Sequence, residues 1–236
     1  GKNIKRKCSP DHYKKMIKGI IFDVDGVLVD TEKIHVEAWE NVFCPKGITL
    51  SKDDYEKGIG IADKEFLIQL KNQKKIPENL DIGRLCKEKE KYFLEIISNG
   101  VNVIDGVIKI LNFLKEKKFK IAAASNSKMV FVKNVLKYGG IKDFFDVIVA
   151  REGIKEAKPE PEIYIKTLEL LKLKKNEVIV FEDSEVGIES AKRAGIFCVG
   201  IETTQQYDKL KKGDIILKKM DIEKIKDIIK GMENEE

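Results

Sequence analysis

The sequence predicts an α/β protein: a doubly wound, mostly parallel sheet whose first strand is followed by an all-helical insertion. Two observations predict it. After Gly100, short β-branched runs alternate with segments of helical period to the end of the chain, the pattern of a parallel sheet covered on both faces. Between Thr31 and about Ser98 no strand-like run of that quality occurs, and apolar residues recur at helical spacing instead. At 236 residues the chain has room for one good-sized domain carrying a smaller insertion.

Residues 1–16 carry charge without an apolar period and read as an N-terminal extension. Lys18-Gly19-Ile20-Ile21-Phe22 has the length and β-branched content of a buried first strand. The core is assigned to 17–32 and 99–236, and the helical insertion to 33–98. Within the insertion the helical periods are Ile34, Ala38 and Val42, then Phe66, Leu67 and Leu70, then Leu85, Tyr92, Phe93, Ile96 and Ile97. Beyond it, helices are expected over 108–117, 129–137 (ending near Gly139-Gly140), 161–171 and 187–194, the last stopped by Gly195. Strands are expected over 119–124, 145–150, 177–181, 197–201 and 215–217, and an acidic tail closes the chain at 233–236.

Composition narrows the function classes. The net charge of +5 is almost all lysine, since arginine stands only at Arg6, Arg84, Arg151 and Arg193. Nucleic-acid readers favour arginine and interleave aromatics, whereas these lysines are scattered among glutamates along helical stretches, so no nucleic acid is expected as a partner. No run approaches the roughly 18 apolar residues of a membrane helix and no secretory signal opens the chain, so no membrane partner and a cytoplasmic location are expected. Cys8, Cys44, Cys86 and Cys198 are far apart and lack metal-ligand spacing, which favours reduced, incidental thiols. A monomer is expected.

The chemistry begins at Phe22-Asp23-Val24-Asp25-Gly26, where the first strand gives way to a glycine turn. Ligands of open parallel sheets bind outside the carboxyl ends of the strands. Asp23 and Asp25, two apart in extended backbone, project from the same side, and their repulsion invites a hard cation such as Mg2+. Taken alone the pair could also be a solvated face, as in Glu88-Lys89-Glu90. Three further groups follow strand ends. Ser125-Asn126-Ser127 offers hydroxyls and backbone N–H groups for phosphate, or a helix cap. Lys158, between Ala157 and Pro159, fits a fixed cation. Glu182-Asp183-Ser184, with Gly187 beyond it, repeats the acid pair.

Together these groups assemble a phosphoryl-transfer site. Asp23 is the candidate nucleophile and Asp25 the candidate acid and base. Mg2+ would be held by Asp23, the backbone carbonyl of Asp25 and Asp183, with Glu182 assisting. Ser125 and Lys158 would stabilise charge on the equatorial oxygens, while Gly26, Asn126, Ser127 and His35 are candidate substrate or phosphate contacts.

With these residues in place, the chain resembles the haloacid dehalogenase superfamily of phosphohydrolases, on the motif Asp23 to Val27, on Ser125, on Lys158-Pro159 and on Glu182-Asp183. Asp30-Thr31-Glu32, His35 with Ala38-Trp39, Lys158-Pro159 followed by Pro161, and Glu182-Asp183-Ser184 with Gly187 resemble its β-phosphoglucomutase-like branch. The resemblance covers about residues 18 to 220. It implies a Rossmann-like core, a helical cap that closes over the site, Mg2+ as cofactor and a small phosphorylated metabolite, such as a sugar phosphate, as partner. It leaves two reactions open: hydrolysis, or transfer between hexose 1- and 6-phosphate. The stretch Gly58 to Lys64 departs from the mutase pattern, because Asp63 stands where the mutase has an arginine for the distal phosphate. An acid there is expected to repel a second phosphate, unless Lys57, Lys64, Lys87 or Lys89 compensates. A noncatalytic binding protein is the third and weakest reading, since every catalytic position is filled.

Overall fold

The computed structural model describes residues 16–234. Residues 1–15 of the expected extension, with Cys8, and the last two residues of the acidic tail lie outside the described residues. The element order is β1 (Gly19–Phe22), α1 (Glu32–Phe43), α2 (Lys52–Glu56), α3 (Asp63–Asn72), α4 (Ile82–Ile97), α5 (Val107–Glu116), β2 (Lys120–Ala124), α6 (Met129–Tyr138), β3 (Val147–Val149), α7 (Glu162–Leu171), β4 (Val178–Glu182), α8 (Glu185–Arg193), β5 (Phe197–Ile201), α9 (Tyr207–Leu210), β6 (Ile215–Leu217) and α10 (Ile222–Asn234).

Six strands pair in the order β3-β2-β1-β4-β5-β6, all parallel. The central strand β1 is buried at all four positions, and its side chains alternate between the two faces. Ile20 and Phe22 join the layer formed by α5, α6 and α10, through Ile110, Leu114, Val132, Leu136, Ile225 and Ile229. Ile21 points the other way, into a second core with Ile163, Tyr164, Ile188, Ala191 and Leu210 of α7, α8 and α9. Double winding puts β2 and β4 on opposite sides of β1, so the chain leaves β1's carboxyl end at a crevice between diverging connections.

Helices α1 to α4 form the insertion. Trp39, Val42 and Phe43 of α1, Phe66, Leu67 and Leu70 of α3 and Leu85 of α4 close a third apolar core. Ser51 opens α2 with a capping box to Asp54, and Asp81 caps α4 by accepting from the Arg84 N–H at 2.6 Å. Ala38, Phe93 and Ile97 turn toward the main core, which couples α1 and α4 to the sheet domain.

Most element ends fall within a residue of expectation, and three differences are larger or bear on the site. β3 spans 147–149, because a 3-10 turn over Lys142–Phe144 precedes it and the Asp146 carboxylate takes the Ile121 N–H at 2.8 Å, ending regular pairing. β4 continues through Glu182, which pairs with Gly200, so the second acid pair straddles the strand end instead of following it. Helix α8 begins at Glu185, two residues early, because Ser184 caps it by accepting from the Gly187 N–H. The closing helix α10 was not foreseen; Ile225, Ile229 and Met232 bury its apolar stripe.

Candidate active site

The strand ends bring Asp23, Asp25, Ser125, Asn126, Ser127, Lys158 and Asp183 to one cavity of about 310 Å3, with Glu32, His35, Trp39 and the Gly58 to Phe66 stretch closing it from the helical side. Glu182 lies directly behind it, fully buried. Asp23 follows β1 and its N–H donates to the Phe181 carbonyl at 2.9 Å, which fixes its backbone against β4.

Asp25 sits among donors. Oδ1 accepts from the Thr31 hydroxyl at 2.5 Å and lies 3.3 Å from His35 Nε2; Oδ2 accepts from Ser127 at 2.9 Å and from Ser125 at 3.2 Å. Burial works to raise this carboxyl, but the hydrogen bonds from His35, Thr31 and Ser127 outweigh it and hold Asp25 well below the usual carboxylate range. Ser125 Oγ also accepts the Ser127 N–H at 3.0 Å, so the hydroxyl closes a loop turn and is no helix cap; α6 starts later, after Lys128.

Asp23 sits in the opposite environment. Lys158 Nζ bridges Asp23 Oδ1 at 2.5 Å and Glu182 Oε1 at 2.6 Å and donates to the Ala124 carbonyl at 3.0 Å. Burial tends to lower this ammonium, but the two carboxylates push it up. Burial first, then the charges of Glu182 and Asp25, push Asp23 well above the ordinary value despite Lys158. Glu182 is held on both oxygens: Oε1 also takes the Tyr164 hydroxyl at 2.5 Å, and Oε2 takes the Asp183 N–H and the Ser184 hydroxyl, each at 3.2 Å. Its evident task is to aim Lys158.

The donor set suits a divalent cation. Asp23, Glu182 and Asp183 each offer a carboxylate oxygen, all within 4.8 Å of one another and all buried. Asp183 Oδ2 is buried without a hydrogen-bond partner among the described residues. Burial, then the charges of Asp23 and Glu182, raise Asp183 well above the usual range. An orphaned oxygen in a cluster of three carboxylates that share the one ammonium of Lys158 fits a hard, oxygen-seeking ion. Gly26 makes the arrangement possible: its φ is +78°, and a Cβ there would stand 1.9 Å from Asp183 Oδ2.

The helical side corrects one expectation. Asp63 is no free acid facing the substrate. Lys89, 0% exposed, donates to Asp63 Oδ1 and Oδ2 at 3.0 and 3.1 Å. The same ammonium donates to His35 Nδ1 at 2.8 Å and lies 4.7 and 4.9 Å from the ring centres of Phe131 and Phe93. With Nδ1 accepting, Nε2 carries the ring hydrogen toward Asp25. Lys89 is therefore committed inside the fold and does not serve a distal phosphate. Asn126 is likewise tied: its amide donates to the Gly60 carbonyl at 2.8 Å and accepts the Lys158 N–H at 3.0 Å. Gly60, with φ +74°, is packed so closely on Ser184 that a Cβ would lie 2.7 Å from its hydroxyl, which seats the helical loop on the core.

Sequence reasoning gave no role to Lys89 as a buried group, to Tyr164 or to Thr31. Lys89 had a signal: Leu85, Lys89, Phe93 and Ile97 recur every four residues along the buried stripe of α4, where a lysine needs a partner. Tyr164 lies next to Ile163 on the buried face of α7, and a buried tyrosine needs a partner for its hydroxyl.

A family model of haloacid dehalogenase-like hydrolases matches residues 20–201. The phosphorylated carbohydrates phosphatase of Thermotoga maritima is 35% identical over 182 residues, covering 76% of this chain and 82% of that protein. The β-phosphoglucomutase structure from Clostridium difficile superposes with a TM-score of 0.82 at 30% identity, covering 92% of this chain and 98% of that one. CbbY from Rhodobacter sphaeroides, solved in complex with xylulose-(1,5)-bisphosphate, superposes with a TM-score of 0.80 at 26% identity, covering 87% of this chain and 95% of that one. No described helix is long and apolar enough to cross a membrane.

Proposed function

The chain belongs to the haloacid dehalogenase-like hydrolases, in their β-phosphoglucomutase-like branch, and from that premise we propose that it is a Mg2+-dependent phosphatase of small phosphorylated metabolites, chiefly sugar phosphates. One observation carries the reading. Two carboxylates two residues apart stand in opposite environments, Asp23 against an ammonium and other acids, Asp25 among three hydroxyls and the His35 ring. Such divergence separates a nucleophile from an acid and base.

Lys158 holds Asp23 Oδ1, and Oδ2 takes no hydrogen bond among the described residues, so Oδ2 is the oxygen that attacks phosphorus. The bond from phosphorus to the leaving oxygen breaks as the aspartyl-phosphate forms, and Asp25 gives that oxygen its proton. Phosphate beside Asp25 raises its affinity for the proton it must carry. Water then attacks the same phosphorus, Asp25 takes its proton, and inorganic phosphate leaves with Asp23 restored. A bound Mg2+, held by Asp23 and Asp183 with Glu182 behind them, supplies charge that offsets repulsion between carboxylate and phosphate. Thr31 and His35 aim Asp25, and Lys158 neutralises charge gathering on the phosphoryl oxygens.

Turnover of p-nitrophenyl phosphate with Mg2+ by the parent and by Asp23→Asn tests the reading: the variant is expected to lose it, and undiminished turnover would sink the nucleophile assignment. A mutase is the second reading, favoured by the likeness to the Clostridium difficile enzyme. β-Glucose 1-phosphate with a trace of the 1,6-bisphosphate separates the two. Free phosphate is expected; glucose 6-phosphate without phosphate release would mean the mutase.

A further inference from the structure

The loop that follows β5 reaches further than its place in the sheet requires. β5 lies beside β4 and β4 beside β1, so β5 and β1 are not neighbours. Yet the Thr203 hydroxyl donates to the Gly26 carbonyl in the turn after β1, across the end of β4 and a span of roughly 10 Å, two strand spacings. Two residues on, Gln205 Oε1 accepts the Glu185 N–H at 2.8 Å, at the start of α8 and just past Asp183 and Ser184. The loop thus ties the turn that carries Asp23 and Asp25 to the turn that carries Glu182 and Asp183.

Thr204, half-buried between these two anchors, stands beside the Asp183 carboxylate. A Cβ on Gly26 would lie 2.3 Å from Thr204 Oγ1 and 1.9 Å from Asp183 Oδ2, so the hydroxyl and the carboxylate crowd one point above Gly26. Oδ2 is buried with no hydrogen-bond partner among the described residues, and the Thr204 hydroxyl is a donor at its side. A carboxylate oxygen has two lone pairs, so Oδ2 can face an ion and still accept from Thr204. We propose that the loop 203–205 is a strap that sets the spacing of the two acid-bearing turns, and that Thr204 is a positioning residue whose hydroxyl holds Asp183 in line for the divalent cation. Thr204 does not line the substrate cavity, so it acts through Asp183. The proposal rests on the Mg2+-dependent phosphatase reading and deepens it at the metal site.

Calorimetric titration of Mg2+ into the substrate-free full chain tests it. Thr204→Val removes the hydroxyl and keeps the shape; Thr204→Ser keeps the hydroxyl and removes a methyl group. Thr204→Val is expected to raise the Mg2+ dissociation constant about tenfold and Thr204→Ser to stay within about threefold of the parent, as for donors that orient a metal-binding carboxylate. Thr203→Val, which frees the strap from Gly26, is expected to weaken Mg2+ binding about tenfold as well. Turnover of p-nitrophenyl phosphate that Thr204→Val loses at low Mg2+ is expected to return as Mg2+ is raised. If Thr204 only fills space, the order reverses, with Thr204→Val like the parent and Thr204→Ser impaired. That order, or a Thr204→Ser protein that binds Mg2+ as weakly as Thr204→Val, would overturn the proposal while the parent still binds Mg2+. A parent that binds no Mg2+ would instead sink the metal-dependent reading and the strap with it.

Discussion

Lys89→Met isolates the buried link between the helical insertion and Asp25. Methionine keeps much of the stem's volume and its contact with the aromatic rings while removing every donor. Two acceptors lose their partner, the Asp63 carboxylate at 3.0 and 3.1 Å and His35 Nδ1 at 2.8 Å. Breaking a buried pair from one side costs about 3–5 kcal/mol. The Asp63 side chain is 20% exposed, so water hydrates it in part and the lower end, about 3 kcal/mol, applies. In a chain of this size that lowers the melting temperature by about 6–12 °C. The catalytic effect is separate. Without Lys89 on Nδ1 the ring loses the contact that fixes its orientation, and its Nε2 donor is no longer held on Asp25 Oδ1 at 3.3 Å. A loss of about 10- to 100-fold in kcat is expected, as for other residues that orient a reacting group. Scanning calorimetry and p-nitrophenyl phosphate kinetics read the two effects. Adding Asp63→Asn removes the orphaned charge, so the double variant is expected to recover stability without recovering kcat. A Lys89→Met protein that melts within about 2 °C of the parent and keeps kcat within about twofold would refute the linkage.

Two further outcomes follow from the acid cluster. Burial and neighbouring carboxylates raise Asp23 and Asp183 above the unfolded value of about 3.9, so in the metal-free protein their stabilising contribution is full below that pH and is lost as pH rises through the raised native values. A divalent cation relieves the repulsion where both are ionised, so the rise in melting temperature on adding Mg2+ is expected to be larger at pH 8 than at pH 5; the opposite order would contradict the cluster as its site. Gly26→Ala pushes a methyl group into Asp183 Oδ2 and is expected to raise the Mg2+ concentration for half-maximal activity by about 10- to 100-fold, measured by Mg2+ titration; an unchanged value would show that Asp183 moves aside freely.

The first half of the site was legible because each of its groups is fixed by local pattern. An apolar strand followed by a carboxylate places Asp23, and the same grammar places Asp183 and Ser125, since parallel strands in one sheet end on one edge. Lys158 needed only the knowledge that its loop follows β3. The helical half was legible as helices and illegible as a surface. Which residues of α3 and α4 look down on Asp23 depends on how Phe66, Leu67 and Leu85 pack against Trp39 and Phe43, a matter of three-dimensional fit that no spacing encodes. Asp63 shows the consequence. In sequence it is an acid where an arginine was expected, and Coulomb's law then makes it a repeller of a second phosphate. In the fold a lysine 26 residues away cancels it, so that Asp63 alone no longer argues for water over a sugar hydroxyl. The argument passes to the neighbouring pairs: Glu90 holds Lys128 and Glu65 faces Arg151, which leaves Lys64 at the rim as the lining cation without an ion pair among the described residues. The same conclusion thus rests on a different cause, the pairing of cations across the seam between insertion and core, which a substitution at Glu90 can undo while Asp63 stays in place.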